Sequence, residues 1–193
     1  MSADPNGDDR LLIVTISGPP GSGTSTLVAR LSESFGWKFM NGGQVFREEA
    51  SRRGISVEKL SSIAKENLEI DRSLDELLKR RMTSVNCPEI VESRLSGWWA
   101  YQNNIECARV WIEVSDDERA RRIQKREGGS LQDCLARSKN RQNDDKDRYL
   151  QLYGIDLDDL SPYTLVVDAD KKDEEEVYNL VSDELRSQSD DGK

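Results

Sequence analysis

The fold of this chain is decided by residues 11–26, which read LLIVTISGPPGSGTST. Residues 11–16 form an uninterrupted apolar run, typical of a parallel strand that is covered on both faces. Leu27, Leu31 and Phe35 follow at helical spacing, and Gly36 ends that helix. A glycine-rich turn between a strand and a helix is the setting in which backbone N–H groups bind a phosphate anion.

This turn predicts a binding site for the phosphates of ATP. Its glycines let backbone N–H groups converge on an anion, and the N-terminus of the helix adds a partial positive charge. Ser25 stands where the hydroxyl of a P-loop coordinates Mg²⁺. The predicted ATP-binding residues are Gly18, Pro19, Pro20, Gly21, Ser22, Gly23, Thr24, Ser25 and Thr26.

One position departs from the P-loop pattern. Thr24 occupies the place of the usual lysine, so the turn lacks a positive charge beside the β- and γ-phosphates. The turn therefore favours phosphate binding more strongly than phosphoryl transfer. A tight strand-to-helix turn without a ligand remains the alternative.

Length and apolar content predict one soluble domain. A chain of 193 residues is long enough to bury its own core. We place the domain at residues 10–186, between short polar tails at 1–9 and 187–193 that we expect to be disordered. No apolar stretch reaches about 18 residues, and residues 1–9 lack a signal pattern. These features predict a cytoplasmic protein without a membrane partner.

The charge balance and the missing residue types narrow the chemistry. A net charge of −9, from 37 acidic and 28 basic residues, disfavours binding to nucleic acid. The chain has no histidine, which removes the commonest general base. Cys87, Cys107 and Cys134 have no paired spacing, so a zinc site is not expected. Carboxylates, arginines, backbone amides and a metal ion remain, and phosphoryl transfer relies on such groups.

Alternating strand and helix patterns predict an α/β fold. Apolar runs at 37–40, 88–92, 110–114 and 163–167 add four strands to the first. Helical segments lie at 45–53, 57–66, 70–83, 131–153 and 177–185. We therefore predict a three-layer α/β domain with a five-stranded parallel sheet.

A second pair of glycines follows the second strand. Gly42 and Gly43 allow the backbone to approach a ligand closely. Arg47, one turn into the next helix, can hold a phosphate with two hydrogen bonds. Ion pairing of Arg47 with Glu48 or Glu49 is the alternative.

The third strand ends in charged residues. Ligands of open parallel sheets bind at the carboxyl ends of the strands, so we expect Glu92 to hold a Mg²⁺-bound water. Arg94 is expected to reach the phosphate of an acceptor. Trp98 and Trp99 are assigned no chemical role.

Arginines recur in the back half of the chain, on two helical faces separated by a glycine break. The two sets are Arg119, Arg122 and Arg126, and then Arg137, Arg141 and Arg148. We predict a lid at about 122–150, whose arginines neutralise charge in the transition state and exclude water. The alternative is a pair of solvated helices with i,i+4 ion pairs, each stabilising by about 0.2–0.5 kcal/mol. Those pairs are Glu118–Arg122, Asp133–Arg137 and Asp144–Arg148.

Taken in order, these motifs resemble those of the archaeal-type cytidylate kinases, within the nucleoside monophosphate kinase superfamily. The resemblance runs from about Leu11 to Leu185 and rests on the ordered set, not on one motif. Its segments are residues 18–26, 42–47, 69–75, 92–98, 122–128, 148–149 and 153–161.

The resemblance implies transfer of the γ-phosphoryl group of ATP to CMP, with dCMP as a second acceptor and with Mg²⁺. It implies an acceptor-binding helical region at about 42–84 and an arginine-rich lid on a P-loop NTPase fold. Some archaeal members of the family carry threonine at the position of Thr24. The implied acceptor-binding residues are Gly42, Gly43, Phe46, Arg47, Asp71, Arg72, Asp75 and Arg94. The implied catalytic residues are Arg94, Arg122, Arg126, Arg141 and Arg148, and the metal residues are Ser25 and Glu92.

Other functions remain open at this stage. A P-loop kinase for AMP, UMP or a small metabolite fits the same motifs. A non-catalytic nucleotide-binding module fits the missing lysine, whereas a nucleic-acid-processing P-loop protein is disfavoured by the charge. Small nucleotides are the expected partners, and we expect a monomer.

Overall fold

The computed structural model of this chain describes residues 12–191, apart from the side chains at positions 58, 61, 62, 65, 66 and 189–191. The strands are β1 (Val14–Ser17), β2 (Phe39–Asn41), β3 (Ile90–Glu92), β4 (Ala108–Glu113) and β5 (Leu165–Asp168). They form one parallel sheet in the order β2-β3-β1-β4-β5. The predicted five-stranded parallel sheet is confirmed, while the predicted tail at 1–9 lies outside the described residues.

The described residues also form eight helices. They are α1 (Thr24–Phe35), α2 (Gly42–Arg52), α3 (Val57–Glu66), α4 (Leu68–Met82), α5 (Ser96–Gln102), α6 (Asp116–Glu127), α7 (Leu131–Tyr153) and α8 (Glu174–Asp191). Side chains of α1 and α8 bury one face of the sheet. Side chains of α4, α5 and α7 bury the other face, so the three-layer prediction is confirmed.

The strand register brings the candidate site together at one edge of the sheet. Ile16 of β1 lies opposite Glu92 of β3 and opposite Val110 of β4. Asn41 of β2 also lies opposite Glu92. Because the strands are parallel, the loop after β1 and the residues after β2 and β3 share the carboxyl edge, where ligands of such sheets bind.

A separate small apolar cluster holds the helical region that follows β2. Ala50 of α2, Leu60 and Ala64 of α3, and Ile70 of α4 are all buried there. Phe46 packs against the same cluster. The segment predicted at 42–84 is thus a three-helix unit with its own packing.

Helix α2 begins earlier than the sequence predicts. The prediction began at residue 45, but the helix begins at Gly42, so the two glycines form its first turn. The side chain of Asn41 accepts a hydrogen bond from the Gln44 backbone N–H at 2.6 Å, which caps the helix. This capping overrides the low helix propensity of glycine.

Helix α5 is absent from the sequence-based prediction because its apolar residues follow no clear period. Its Gly97 lies against the ring of Tyr163, and a Cβ there would come within 2.3 Å of the ring's Cε1. Trp99 of α5 is 1% exposed and stacks edge-on against Tyr153 of α7. Close packing fixes this short helix, which local propensity does not.

The last helix extends into the predicted C-terminal tail. Helix α8 continues to Asp191, so residues 187–191 are helical where a disordered tail at 187–193 was predicted. Side-chain hydrogen bonds support this extension, because the Ser187 hydroxyl donates to the Glu184 carbonyl at 2.8 Å. Gln188 donates to the Glu184 carboxylate at 2.9 Å.

Candidate active site

The turn after β1 forms a tight loop that only glycine allows at several positions. Gly21 and Gly23 have φ of 87° and 93°, a region that side chains with a Cβ rarely adopt. A Cβ on Gly18 would come within 2.6 Å of the Ser22 Oγ and 2.8 Å of the Ile112 carbonyl oxygen. Helix α1 begins at Thr24, directly after the loop. This geometry aims the amide end of a helix at the space above the loop, as in phosphate sites.

Two hydroxyls of the first turn of α1 converge on one carboxylate. The Thr24 hydroxyl donates to Glu92 Oε1 at 2.7 Å. The Ser25 hydroxyl lies 3.4 and 3.5 Å from the two Glu92 carboxylate oxygens. Ser25 and Glu92 lie together as predicted from the sequence, whereas the contact of Thr24 with Glu92 is not predicted by the sequence pattern.

These oxygens suit a small divalent cation. Mg²⁺ prefers hard oxygen ligands and usually binds proteins through one or two carboxylates together with substrate phosphates. Glu92 and Ser25 offer that set beside the glycine-rich loop. Among the side chains that the structure describes, no group of three or more Asp, Glu, Cys or His residues is placed to hold a metal ion. The residues therefore fit a metal that arrives with a nucleotide.

Helix α6 is fastened to the glycine-rich loop by two arginines. Arg122 Nη1 donates to the Ser22 carbonyl at 3.1 Å, and Nη2 donates to the Ala169 carbonyl after β5. Arg119 is 1% exposed and donates to the Pro20 carbonyl at 3.1 Å. The sequence spacing places both arginines on one helical face, but only the structure shows that this face lies on the loop.

The Glu118–Arg122 ion pair predicted for a solvated helix also forms, with Nε at 3.0 Å from Oε1. Arg122 therefore has both features, a pair within its own helix and a contact with the loop. Its Nη1 lies 3.8 Å from the Cβ position of Gly23. A guanidinium group thus stands beside the loop whose lysine is missing.

A buried carboxylate joins two arginines at the end of β3. Arg94 Nε donates to Asp145 Oδ2 at 2.9 Å, and Arg148 Nη2 donates to Asp145 Oδ1 at 2.6 Å. The Asp145 side chain is only 8% exposed. Arg94 Nη1 also donates to the Gly18 carbonyl, so this Arg94–Asp145–Arg148 cluster touches the loop. The predicted Arg94 and Arg148 are brought together, and Asp145 is a residue that the sequence analysis missed.

The sequence signal for Asp145 was present but ambiguous. Both Asp144 and Asp145 lie within one helical turn of Arg148, and the i,i+4 spacing predicts a pair with Asp144. That prediction is wrong, because Asp144 is exposed and the pair forms with Asp145 at i,i+3. The orientation of α7 against the sheet buries Asp145 and exposes Asp144, and only this orientation decides which of them pairs with Arg148.

Acidic residues of α4 continue the cluster toward the three-helix unit. Arg148 Nε lies 3.5 Å from Asp71 Oδ2, and the Tyr153 hydroxyl donates to Asp75 Oδ2 at 2.8 Å. Burial lowers the pKa of Arg148. Tyr149, Asp145 and Asp71 raise it by more, so the pKa of Arg148 lies above its usual value. Burial also raises the pKa of Asp71, against the attraction of Arg148.

Burial raises the pKa of Asp75 to about 6, because the hydrogen bond from Tyr153 offsets burial only in part and Asp71 adds repulsion. An unfolded aspartate titrates near 3.9, so the folded state binds the extra proton between about pH 4 and pH 6. Folding stability from this group therefore falls as the pH rises through that window.

Replacing Asp75 by asparagine is expected to stabilise the protein more at high pH than at low pH. The gain in unfolding free energy should be about 1 kcal/mol larger at pH 7 than at pH 5, since the parent carries the cost of ionising Asp75 mainly at the higher pH. Urea unfolding at both pH values measures this difference. Glu76→Gln, at the neighbouring exposed position, serves as the control and should track the parent. A gain of equal size at both pH values contradicts the assignment.

Other predicted residues stay apart from this centre. Arg47 is exposed, and neither predicted partner pairs with it, because Glu48 binds Arg81 and Glu49 binds arginines of its own helix. That alternative for Arg47 is therefore wrong. Arg72 pairs with Glu69 on the surface.

The predicted lid is a helical hairpin whose tip carries exposed arginines. Gly128 and Gly129, both at positive φ, join α6 to α7. Arg126 binds Glu127, and Arg141 is exposed. Arg137 contacts the Cys134 sulfur at 3.4 Å, so the predicted pair with Asp133 is wrong. Asp133 instead accepts the hydroxyl of Ser130, which caps α7.

No described helix combines the length and apolar character needed to cross a membrane.

The sequence of this chain is similar to those of known proteins. Residues 17–147 match the family model described as an AAA domain. The chain is 36% identical over 171 residues to a cytidylate kinase of Pyrococcus abyssi (strain GE5 / Orsay), covering 88% of this chain and 91% of that protein. It is 38% identical over 168 residues to a cytidylate kinase of Archaeoglobus fulgidus, covering 87% of this chain and 91% of that protein.

A solved structure supports the fold independently of sequence. A gluconokinase from Sinorhizobium meliloti 1021 superposes with a TM-score of 0.59 at 15% identity, covering 94% of this chain and 95% of that one. At this identity the likeness concerns the fold alone.

Proposed function

Because this chain belongs to the family of archaeal cytidylate kinases, we propose that it transfers the γ-phosphoryl group of ATP to CMP, giving ADP and CDP. The observation that carries the proposal is the similarity to these kinases over nearly nine-tenths of the chain. The site geometry supports it, because the glycine-rich loop lies next to Arg94 and Arg148 at the carboxyl edge of the sheet. We propose dCMP as a second acceptor.

The transfer needs no protein base. A phosphate monoester loses its second proton near pH 6, so at neutral pH the CMP phosphate is already a nucleophile. One of its oxygens forms a bond to the γ-phosphorus while the bond from that phosphorus to the β–γ bridging oxygen breaks. The electron pair leaves with the β-phosphate of ADP. A chain without histidine can therefore catalyse the step by positioning and charge neutralisation.

The acceptor phosphate is proposed to bind Arg94 and Arg148, with Arg47 closing from α2. In the described structure, Asp145 orients the guanidinium groups of both Arg94 and Arg148, and the Gly18 carbonyl orients that of Arg94 as well. Guanidinium groups hold phosphate oxygens through paired hydrogen bonds, which fixes direction as well as distance.

We propose that Arg122 supplies the positive charge that Thr24 lacks. Arg122 already touches the loop through the Ser22 carbonyl, and its helix α6 leads into the hairpin tip. Arg126, beside the glycine break, and Arg141, in the middle of α7, are exposed and would approach the transferring group when the hairpin closes. Closure of this kind excludes water and suppresses ATP hydrolysis.

Mg²⁺ would be held by Ser25 and Glu92 together with the nucleotide, where it supplies charge neutralisation for the phosphates. Residues 18–26 would bind the ATP phosphates through backbone N–H groups. The acceptor nucleoside is proposed to lie against the three-helix unit. The residues proposed to read it are Gly42, Gly43, Phe46, Asp71, Arg72 and Asp75.

An acceptor panel tests this function. Purified protein with ATP and Mg²⁺ is offered CMP, dCMP, UMP, AMP and GMP, and ADP release is measured. We expect kcat/KM to be highest for CMP and dCMP, with CDP or dCDP as product. Arg94→Met, which should lose activity, controls for contaminating kinases. Equal rates on all acceptors would mean that the protein is a general nucleotide kinase without a preference for CMP. ATP binding without any CDP formed would mean that it is a non-catalytic binding module.

We further propose that the enzyme acts as a cytoplasmic monomer on small nucleotides and not on nucleic acid. The net charge of −9 disfavours a polyanionic partner.

A further inference from the structure

We propose that Thr24 is a positioning residue for Glu92, and that its neutral hydroxyl holds this carboxylate ready for the metal ion of the nucleotide. The inference rests on the proposed function, because the metal is the one that accompanies ATP. It gives the residue in place of the P-loop lysine a role of its own.

The hydrogen bond between the two side chains is short and protected. Thr24 Oγ1 donates to Glu92 Oε1 at 2.7 Å, and Thr24 is only 9% exposed. Hydrogen bonds to an ionised carboxylate are about twice as strong as neutral ones. Since water has little access to Thr24, this bond restrains the orientation of the Glu92 carboxylate.

The methyl group of Thr24 fixes the direction of its hydroxyl. Its Cγ2 lies 3.2 Å from the Cβ position of Gly18, so the methyl packs against the start of the loop. A β-branched side chain has few χ1 rotamers, and this packing selects among them. The selected rotamer points the hydroxyl at the end of β3.

A hydroxyl and an ammonium group would have different effects on the carboxylate. A lysine near Glu92 could form an ion pair and neutralise it, whereas threonine donates a hydrogen bond and leaves the negative charge available. Among the side chains that the structure describes, Glu92 accepts from the hydroxyls of Thr24 and Ser25 and forms no ion pair with a lysine or arginine. The full carboxylate charge therefore faces the Ser25 hydroxyl, the second oxygen proposed for the metal.

Outer-shell hydrogen bonds of this kind set metal affinity in proteins, and their loss typically costs 10-fold to 100-fold. Thr24→Val keeps the branched shape and removes the hydroxyl. We expect it to weaken binding of Mn²⁺ to the enzyme–ADP complex by about 10-fold. The signal of free Mn²⁺ in electron paramagnetic resonance measures this binding without any turnover.

Two comparisons separate positioning from a general disturbance of the loop. Thr24→Ser retains the hydroxyl and should keep the Mn²⁺ affinity within about twofold of the parent, while metal-free ADP binding should stay similar in both variants. Equal Mn²⁺ affinity in Thr24→Val and the parent overturns the inference. An equal loss of metal-free ADP binding also overturns it, because the loop itself would then have changed.

A double-mutant cycle tests the route through Glu92. In a Glu92→Gln background, Thr24→Val should have less than about a twofold further effect on Mn²⁺ affinity, because the carboxylate it orients is gone. A tenfold effect in both backgrounds means that Thr24 acts on the metal without Glu92 and refutes the inference. None of these measurements uses CMP, so failure of the acceptor panel and failure of this inference are distinguishable.

Discussion

Replacing Arg122 by glutamine is expected to lower kcat for CDP formation by about 10²-fold to 10³-fold, the usual cost of removing one preorganised hydrogen-bond donor that stabilises the transition state. Arg122 Nη1 lies at the Ser22 carbonyl, so it places a positive charge against a turn that has no lysine of its own. Negative charge builds up on the phosphoryl oxygens during transfer, and a fixed guanidinium costs little reorganisation at that moment. Single-turnover kinetics at saturating ATP and CMP measures the change in the chemical step.

The neighbouring Arg121 provides a matched control for this experiment. Both arginines pair with Glu118, but Arg121 points to solvent, with 62% of its side chain exposed. Arg121→Gln removes the same charge from the same helix, and we expect kcat to change by less than about twofold. If the two variants lose the same activity, the charge of the helix matters and the contact of Arg122 with the loop does not.

Replacing Asp145 by asparagine is expected to lower the free energy of unfolding by about 3 kcal/mol, because breaking a buried ion pair leaves an uncompensated charge. The Asp145 side chain is 8% exposed and accepts hydrogen bonds from both Arg94 and Arg148. Asparagine has the same shape, but it lacks the negative charge and must turn an NH₂ group toward one of the arginines. The arginines are 21% and 30% exposed, and water screens part of their charge, which keeps the loss near the lower end of the usual range.

Asp144→Asn is the control, because it removes one negative charge from the adjacent, exposed position of α7. We expect this control to change the unfolding free energy by less than about 0.5 kcal/mol. Urea unfolding at pH 7 compares the two variants directly. Losses of equal size would mean that net charge, and not the Arg94–Asp145–Arg148 cluster, accounts for the effect.

The sequence predicted α3 and α7 at the bounds that the structure shows, residues 57–66 and 131–153. Both helices have an unambiguous start: a serine cap accepts a backbone hydrogen bond at Ser56 and at Ser130. Helix α2 was placed too late because the two glycines of its first turn read as a loop. Helix α5 was missed because its burial depends on Tyr163, far along the chain.

The sequence by itself determined the strand, the glycine-rich turn and the helix that begins at Thr24. Each of these depends on neighbouring residues: an apolar run, glycines that accept positive φ, and apolar positions at helical spacing. The tertiary structure alone decided that Thr24 binds Glu92 and that Asp145, not Asp144, joins Arg94 to Arg148. The first contact spans 68 residues and the second spans 51, so both depend on how the helices face the sheet. The local sequence pattern limits the candidate partners of a side chain to a few residues, and tertiary packing determines which of them forms the contact.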